Sequence, residues 1–408
     1  NVVGEESAID RFSFTSDNYK DLVQSFQGVS KSDGVEYGLG RYGSERDVFG
    51  FVRYIVPGSD ADGKDIKRGD IFIGVNGTDL TLDNYIELLF GDLDTYTMNF
   101  ATLQDNTISP NGRELSLTKE EGFSENPILI NKVIEEGGIK IGYLLYNSFV
   151  ASYDEQLNDA FGEFKAAGVN DVILDFRYNG GGRVSSAIQI ASSIYGAKTE
   201  ELFLKARYND KIQSTFDPGD GESNFVATTI DGSPINELNL TKVYVITSSS
   251  TASASELVIN GLEPYVDVVQ IGTTTVGKNE FSITFVDDRE NSFFYDESRE
   301  SNINPDNQWA IQPLLGRNEN ADGFSDYTAG LAPDNELRED IANMGDLGER
   351  SDPLLALALD VVTSSGAKSS LRQPDYPIEL LSSSAVMKAT NNMMLMDGLV
   401  KASQSSNK

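Results

Sequence analysis

The sequence contains no cysteine and no histidine. Without thiols there is no disulfide, no thiolate nucleophile and no cysteine-ligated zinc, and without imidazole every catalytic apparatus built on histidine is excluded. An enzyme made of this chain must draw its base from lysine, a carboxylate or tyrosine. Basic residues are also scarce, with 32 Lys and Arg against 64 Asp and Glu and a formal net charge of -32. Such a field repels phosphate backbones and anionic headgroups, which argues against nucleic-acid and membrane-surface partners. The acidity reads first as a solubility device. No apolar run reaches the length of a membrane span and the chain starts at Asn1 rather than Met, so a signal or lipid anchor is expected to have been trimmed from it. Missing cysteine fits the cytosol and the cell envelope alike.

What remains is globular material. At 408 residues, 39% hydrophobic and 10% aromatic, the chain is long enough for two or three domains with at least one large core. Residues 1–34 are polar, with one amphipathic helix around Tyr19, Leu22, Val23 and Phe26. From 35 to about 105 the pattern is short strands and turns (Phe51 to Ile55, Pro57-Gly58-Ser59, Ile71 to Gly77), followed by a helix-like run from Leu82 to Phe90. Residues 106–128, rich in Asn, Thr, Glu and Gly, read as a linker into a larger unit that runs to about 365.

That unit has a repeating grammar. Ile141 to Tyr146 reads as a strand, residues 154–167 put Leu157, Ala160, Phe161 and Phe164 on one helical face, and Val172 to Phe176 is a strand ending in Asn179-Gly180-Gly181-Gly182. A helix through Ala187, Ile190 and Ile194 comes next, then strand Val243 to Ile246, a Ser/Thr turn, a helix from about Ser253 to Leu262 and strand Val266 to Ile271. Strand, glycine turn, helix is the order of a parallel sheet with helices on its faces, so an α/β fold is expected. Residues beyond 287 read as loop to about 348, a helix is expected near 353–363, and a Ser-rich tail from 366 to 408 reads as loosely held.

Thr251-Ala252-Ser253-Ala254-Ser255-Glu256 lies where a strand hands over to a helix. A hydroxyl there sits at the positive end of the helix, where unpaired N–H groups, Ala254 among them, can hold a developing oxyanion. Glu256, three residues after Ser253, equally fits a capping box, in which case the serine only starts a helix. A serine nucleophile needs a base, and with histidine absent a buried lysine stripped of its charge is the alternative. Lys278 is the candidate, among uncharged neighbours and before the alternating Phe281, Ile283 and Phe285. An exposed loop lysine is the competing reading.

The blocks "TSSSTASASELVINGLEPY", "VVQIGTTTVGK" and, before them, "VILDFRYNGGG" resemble the C-terminal processing (tail-specific) peptidase family, and the "PGSDA…IKRGDIFIGVNG" stretch resembles a PDZ domain. The resemblance spans about 35 to 360. It implies a Clp-protease/crotonase-like core with an inserted or preceding PDZ domain and a small helical N-terminal segment. It puts the nucleophile on Ser253, the base on Lys278 at 25 positions further on, and oxyanion donors on Gly181 and Ala254. It implies a serine endopeptidase acting on unfolded or tail-exposed proteins, no metal or other cofactor, and export to the envelope, periplasmic or extracellular, with a lipoprotein or membrane tether through the missing N-terminus. Family members often carry Gln four residues after the lysine; Ser282 stands there, and a serine hydroxyl could hold the amine instead. Gly180 replaces the family's turn proline. The alternative is a catalytically inactive peptide-binding scaffold of the same fold.

Two phosphate-type motifs fail on context. Gly38 to Gly43 matches GxGxxG but opens no helix, so Tyr37-Gly38-Leu39-Gly40 reads as a PDZ carboxylate loop that binds a peptide C-terminus. Gly272 to Lys278 matches GxxxxGK, yet Asn279 replaces the required Ser or Thr and a strand pattern succeeds it. Acidic pairs such as Asp287-Asp288 and Glu120-Glu121 fit no calcium loop and read as solvated surface.

Overall fold

The computed structural model describes residues 10–42, 46–363, 380–389 and 391–396. Residues 1–9 of the N-terminal segment, Gly43 of the GxGxxG match, and residues 366–379, 390 and 397–408 of the expected tail lie outside the described residues. The chain divides into two compact units. One comprises Asn1–Gln27, Asn126–Glu336 and Thr390–Lys408; the other comprises Gly28–Glu125 and Leu337–Ala389.

The first unit is built on a six-stranded sheet in the order Ile128–Glu136, Ile139–Tyr146, Asp171–Asp175, Lys242–Thr247, Asp267–Gly272, Asn335–Glu336. The first pair is antiparallel and every later pair is parallel. Parallel strands covered on both faces need near-continuous apolar runs. Leu144, Val172, Leu174, Val243 and Val245 supply them and are fully buried. Helix Asp154–Ala167 covers the sheet with Leu157, Phe161 and Phe164 and stops at Gly168, whose φ of +67° is the left-handed cap that glycine adopts without strain. Truncating Phe161 to Ala there should cost about 3–5 kcal/mol.

A second sheet runs Gly181–Arg183, Met393–Leu395, Glu280–Ser282, Leu314–Glu319, Leu202–Tyr208, Glu222–Asn224. Its strand Met393–Leu395 lies parallel to Gly181–Arg183, Met393 opposite Gly181. The expected loop beyond residue 287 thus contains the strands Ala310–Gln312 and Leu314–Glu319, the latter held by pairing with Leu202–Tyr208 rather than by its own weak alternation.

The second unit is a sheet in the order Leu380–Ser383, Val35–Tyr42, Asp47–Ile55, Ile71–Val75, Thr95–Gln104, Thr107–Thr118, with helix Tyr85–Phe90 against the same apolar cluster. Residues 106–128 are not a linker. Thr107–Thr118 pairs with Thr95–Gln104 and buries Ile108 and Leu117, while Glu120–Ser124 pairs with Val29–Ser32. Tyr37-Gly38-Leu39-Gly40 is not a loop either but the middle of a strand, because an extended Gly38 leaves room for the Phe51 ring, which a Cβ would meet at 2.3 Å. Residues 337–363, expected in the larger unit, cluster here because Ile341 and Met344 pack with Phe49, Phe51 and Ile71, and the Arg68 guanidinium donates to Gly345 O at 3.1 Å and Glu339 Oε1 at 2.7 Å.

Candidate active site

Strand Lys242–Thr247 ends in a turn that feeds helix Ala254–Leu262, with Ser253 as the residue before the helix. Ser253 has φ +62° and ψ −113°, a conformation in which an L-residue is strained and which glycine would adopt freely. Strain of this kind persists only where the surroundings over-determine it, and here Glu256 does so by accepting the Ser253 N–H at 2.7 Å. The Ser253 side chain is fully buried and faces the Glu256 backbone N–H as in a capping box, but its Oγ makes no hydrogen bond of good geometry among the described residues. Ala254, first in the helix, has an N–H without an intrahelical acceptor.

Gly181 is brought against this turn. A Cβ on it would lie 2.8 Å from Ser253 Cβ, 3.1 Å from the Ala254 nitrogen and 2.3 Å from Met393 O, and its φ is +112°. Only glycine fits. Its N–H, however, is given to the Asn179 side-chain oxygen at 2.9 Å. Asn179 in turn donates from its amide to Tyr146 O at 2.8 Å.

Lys278 is fully buried in the same unit. Burial pushes its amine down to about 7, against upward pulls from the carboxylates of Glu280, Glu256 and Asp10. Its Nζ donates to Glu280 O at 3.1 Å and stands 5.2 Å from the centre of the Phe12 ring. Arg11, beside Phe12, donates to Gly277 O at 3.1 Å, so the N-terminal stretch closes over the lysine.

Glu256 joins the two candidates. Its Oε2 accepts from Ser253 N at 2.7 Å and Lys278 N at 2.9 Å, and its Oε1 accepts from Gly277 N at 2.7 Å and Thr275 Oγ1 at 2.5 Å. Four donors and no donated bond are the surroundings of a carboxylate held inside the protein, while burial, outweighing these bonds, leaves its pKa raised. The capping role read from sequence survives on the Glu256 side, through the bond it accepts from Ser253 N.

The structure thus gathers Ser253, Ala254, Gly181 and Lys278, but it does not hydrogen-bond Ser253 Oγ to Lys278 Nζ. Ser282 does not hold the amine: its buried hydroxyl accepts from Gln312 Nε2 at 3.1 Å. Tyr37, Gly38, Leu39 and Gly40 belong to the other unit. Glu256, Asn179 and Phe12 were not read from sequence as site residues. For Glu256 the signal was present in its spacing from Ser253; for Phe12, some 266 residues from Lys278 in the chain, there was none.

Residues 140–313 match the family model for Peptidase family S41, and they include the glycine turn, the Ser253 helix and Lys278. The match assigns this segment to peptidase family S41. The chain is 23% identical over 266 residues to a carboxyl-terminal-processing protease of Picosynechococcus, the match covering 64% of the chain and 58% of the relative. It is 26% identical over 248 residues to a chloroplastic C-terminal processing peptidase of Tetradesmus obliquus, covering 58% and 49%. The chain therefore spans about half the length of the curated relatives it matches. Among solved structures it resembles a candidate S41 protease of Bacteroides fragilis, with a TM-score of 0.68, 28% identity, and coverage of 87% of this chain and 86% of that one. The fold is that of S41 peptidases, mixed α/β with several sheets. Among the described residues no helix is long and apolar enough to cross a membrane.

Proposed function

We propose that the chain is a serine endopeptidase in which neutral Lys278 takes the proton of Ser253. The observation that carries this reading is the fully buried Lys278 amine, shifted by burial to where it loses its charge near neutral pH, on a backbone tied through Glu256 to that of Ser253. The alkoxide attacks a peptide carbonyl; the oxyanion forms beside the Ala254 N–H and beside Gly181, whose own N–H must first leave Asn179. The proton carried by Lys278 passes to the leaving amine, and water then releases the acyl group by the reverse use of the same amine.

The reading extends to the second unit as a PDZ-like module that grips the tails of unfolded or tail-exposed proteins, in an exported protein of the cell envelope. Its support is strand Val35–Tyr42 beside helix Tyr85–Phe90, a pair to which an extended peptide could add as one more strand in the place that Leu380–Ser383 takes.

The rival is an inactive peptide-binding scaffold. One observation favours it: Ser253 Oγ and Lys278 Nζ are not bonded to each other. Catalytic hydrogen bonds commonly tighten only when substrate binds, so this alone does not overturn catalysis. Digestion of an unfolded protein substrate, together with labelling by a β-lactone probe, separates the two. The proposal expects the unaltered chain to cleave and be labelled at Ser253, and Ser253→Ala and Lys278→Met to do neither. Unimpaired cleavage by either variant removes the assignment.

A further inference from the structure

The groove that this reading offers to substrate tails already holds a strand of the chain itself. Leu380–Ser383 pairs antiparallel with Val35–Tyr42, with Leu380 opposite Gly40, Ser382 opposite Leu39 and Ser383 opposite Gly38. Among the described residues it is the outermost strand of the sheet, so it occupies the edge to which a peptide would add. Leu381 packs on the cluster formed by Tyr37, Leu39 and Phe72 with Tyr85 and Leu88 from the helix. At the end of the strand, Ser384 Oγ accepts the Tyr37 N–H at 2.9 Å and donates to Glu36 Oε2 at 2.7 Å. A side-chain oxygen thus sits on the backbone donor that would meet the terminal oxygen of an added peptide. Lys388 Nζ fastens the segment just past the strand, at 2.9 Å from Glu36 Oε1 and 2.6 Å from Glu125 Oε2.

The fit is that of a ligand rather than of a core strand. Leu380 is exposed and Leu381, Ser382 and Ser383 are only half-buried, whereas Val35 to Gly40 on the partner strand are buried throughout. One leucine anchors it. A short edge strand with a single partly buried anchor has little area to lose on leaving, yet being tethered it competes at an effective concentration on the order of millimolar.

We propose that Leu380–Ser384 is an internal ligand of the groove between Val35–Tyr42 and Tyr85–Phe90, and that a substrate tail binds by displacing it. The resting chain is self-occupied, and the tail's apparent affinity is lowered by the fraction of time the groove is filled. This rests on the reading of the second unit as a tail-binding module, and the test keeps the two apart.

Two fluorescent peptides are titrated into the Ser253→Ala chain, with and without Leu381→Asp, and binding is read by anisotropy. One peptide copies residues 379–388; the other is an unrelated segment ending in apolar residues and a free carboxylate. Leu381→Asp removes the anchor and puts a charge against the apolar cluster, so both peptides should bind it at least tenfold more tightly. If the copied peptide gains and the tail peptide binds neither form, the strand is a genuine groove ligand and the tail-binding reading fails. If the tail peptide binds both forms equally, or neither peptide gains, the internal-ligand proposal is overturned. Should Leu381→Asp unfold the unit, hydrogen exchange on the Ser253→Ala chain alone decides. Saturating tail peptide should speed exchange at residues 381–384 while Leu39 and Gly40 stay protected, and unchanged exchange there overturns the proposal.

Discussion

Ser253 and Lys278 give their backbone N–H groups to the same oxygen, Glu256 Oε2, at 2.7 and 2.9 Å. A strained turn and a loop from the far side of a strand are thereby fixed within the combined reach of two hydrogen bonds. The side chains that the proposed Ser-Lys mechanism needs grow from those two residues, so on that proposal Glu256 is a positioning residue whose displacement would be felt directly at the reacting atoms.

Glu256→Gln tests this. The amide keeps one acceptor oxygen for four donors and turns an NH2 group toward at least one N–H. The expected result is a loss of about 100-fold in kcat with KM little changed. The carboxylate also raises the affinity of Lys278 for its proton, so its removal should move the acid limb of the pH profile to lower pH. A residue that served stability alone would lower the folded fraction and leave that limb where it was.

The unaltered chain should show its own acid limb near neutrality. Burial pushes the Lys278 amine down to about 7, and the proposed base would work only when neutral. Below that pH the amine is protonated and acylation falls about tenfold per unit; above it the rate levels off. Single-turnover acylation from about pH 5 to 9 measures this. A limb near 10, roughly the ordinary range of an exposed lysine, would mean that the amine is hydrated in solution.

Much of the site's frame was legible because its signals are local. Val172 to Asp175 is an apolar run closed by one carboxylate, residues 154–167 repeat at helical spacing, and the small residues around Ser253 mark a sharp strand-to-helix turn. With histidine absent the base is left to lysine, a carboxylate or tyrosine, and Lys278 stands out by its uncharged neighbours and by the family resemblance. What was not legible depends on distant partners. Glu256 looks like any third residue of a capped helix, since three of its four donors, Thr275, Gly277 and Lys278, come from beyond the helix it caps. Leu380–Ser383 is four residues with serine at half its positions, and only its pairing with residues 38–40 makes it a strand. Gly38 and Gly40 suggested a loop by composition, whereas packing against Phe51 requires an extended chain there.

Ser282 separates two accounts of the lysine's surroundings. If its hydroxyl oriented the amine, Ser282→Ala would cost orders of magnitude in rate. Its hydroxyl instead accepts from Gln312, and the amine donates to Glu280 O. Ser282→Ala should therefore keep kcat within about threefold. It should cost about 1 kcal/mol of stability, because the buried Gln312 amide loses an acceptor. Thermal melting and steady-state kinetics on one preparation check both, and a large loss of rate with an unchanged melting temperature would restore Ser282 to the catalytic group.

The conformation of Ser253 itself makes the last prediction. At φ +62° and ψ −113° a residue with a Cβ bears strain of about 1–3 kcal/mol, which glycine does not. Ser253→Gly relieves that strain, less the roughly 0.5–1 kcal/mol by which glycine loosens the unfolded chain, so it should stabilise by about 1 kcal/mol. Ser253→Ala keeps the Cβ and hence the strain, and should melt close to the unaltered chain. Both variants lose the hydroxyl, so activity cannot distinguish them and the melting difference isolates the backbone contribution. A glycine variant no more stable than the alanine one would mean that the turn is relaxed as it stands. If the difference appears, the turn spends folding stability to hold a hydroxyl above a helix start, and a residue that merely capped the helix would have no use for that conformation.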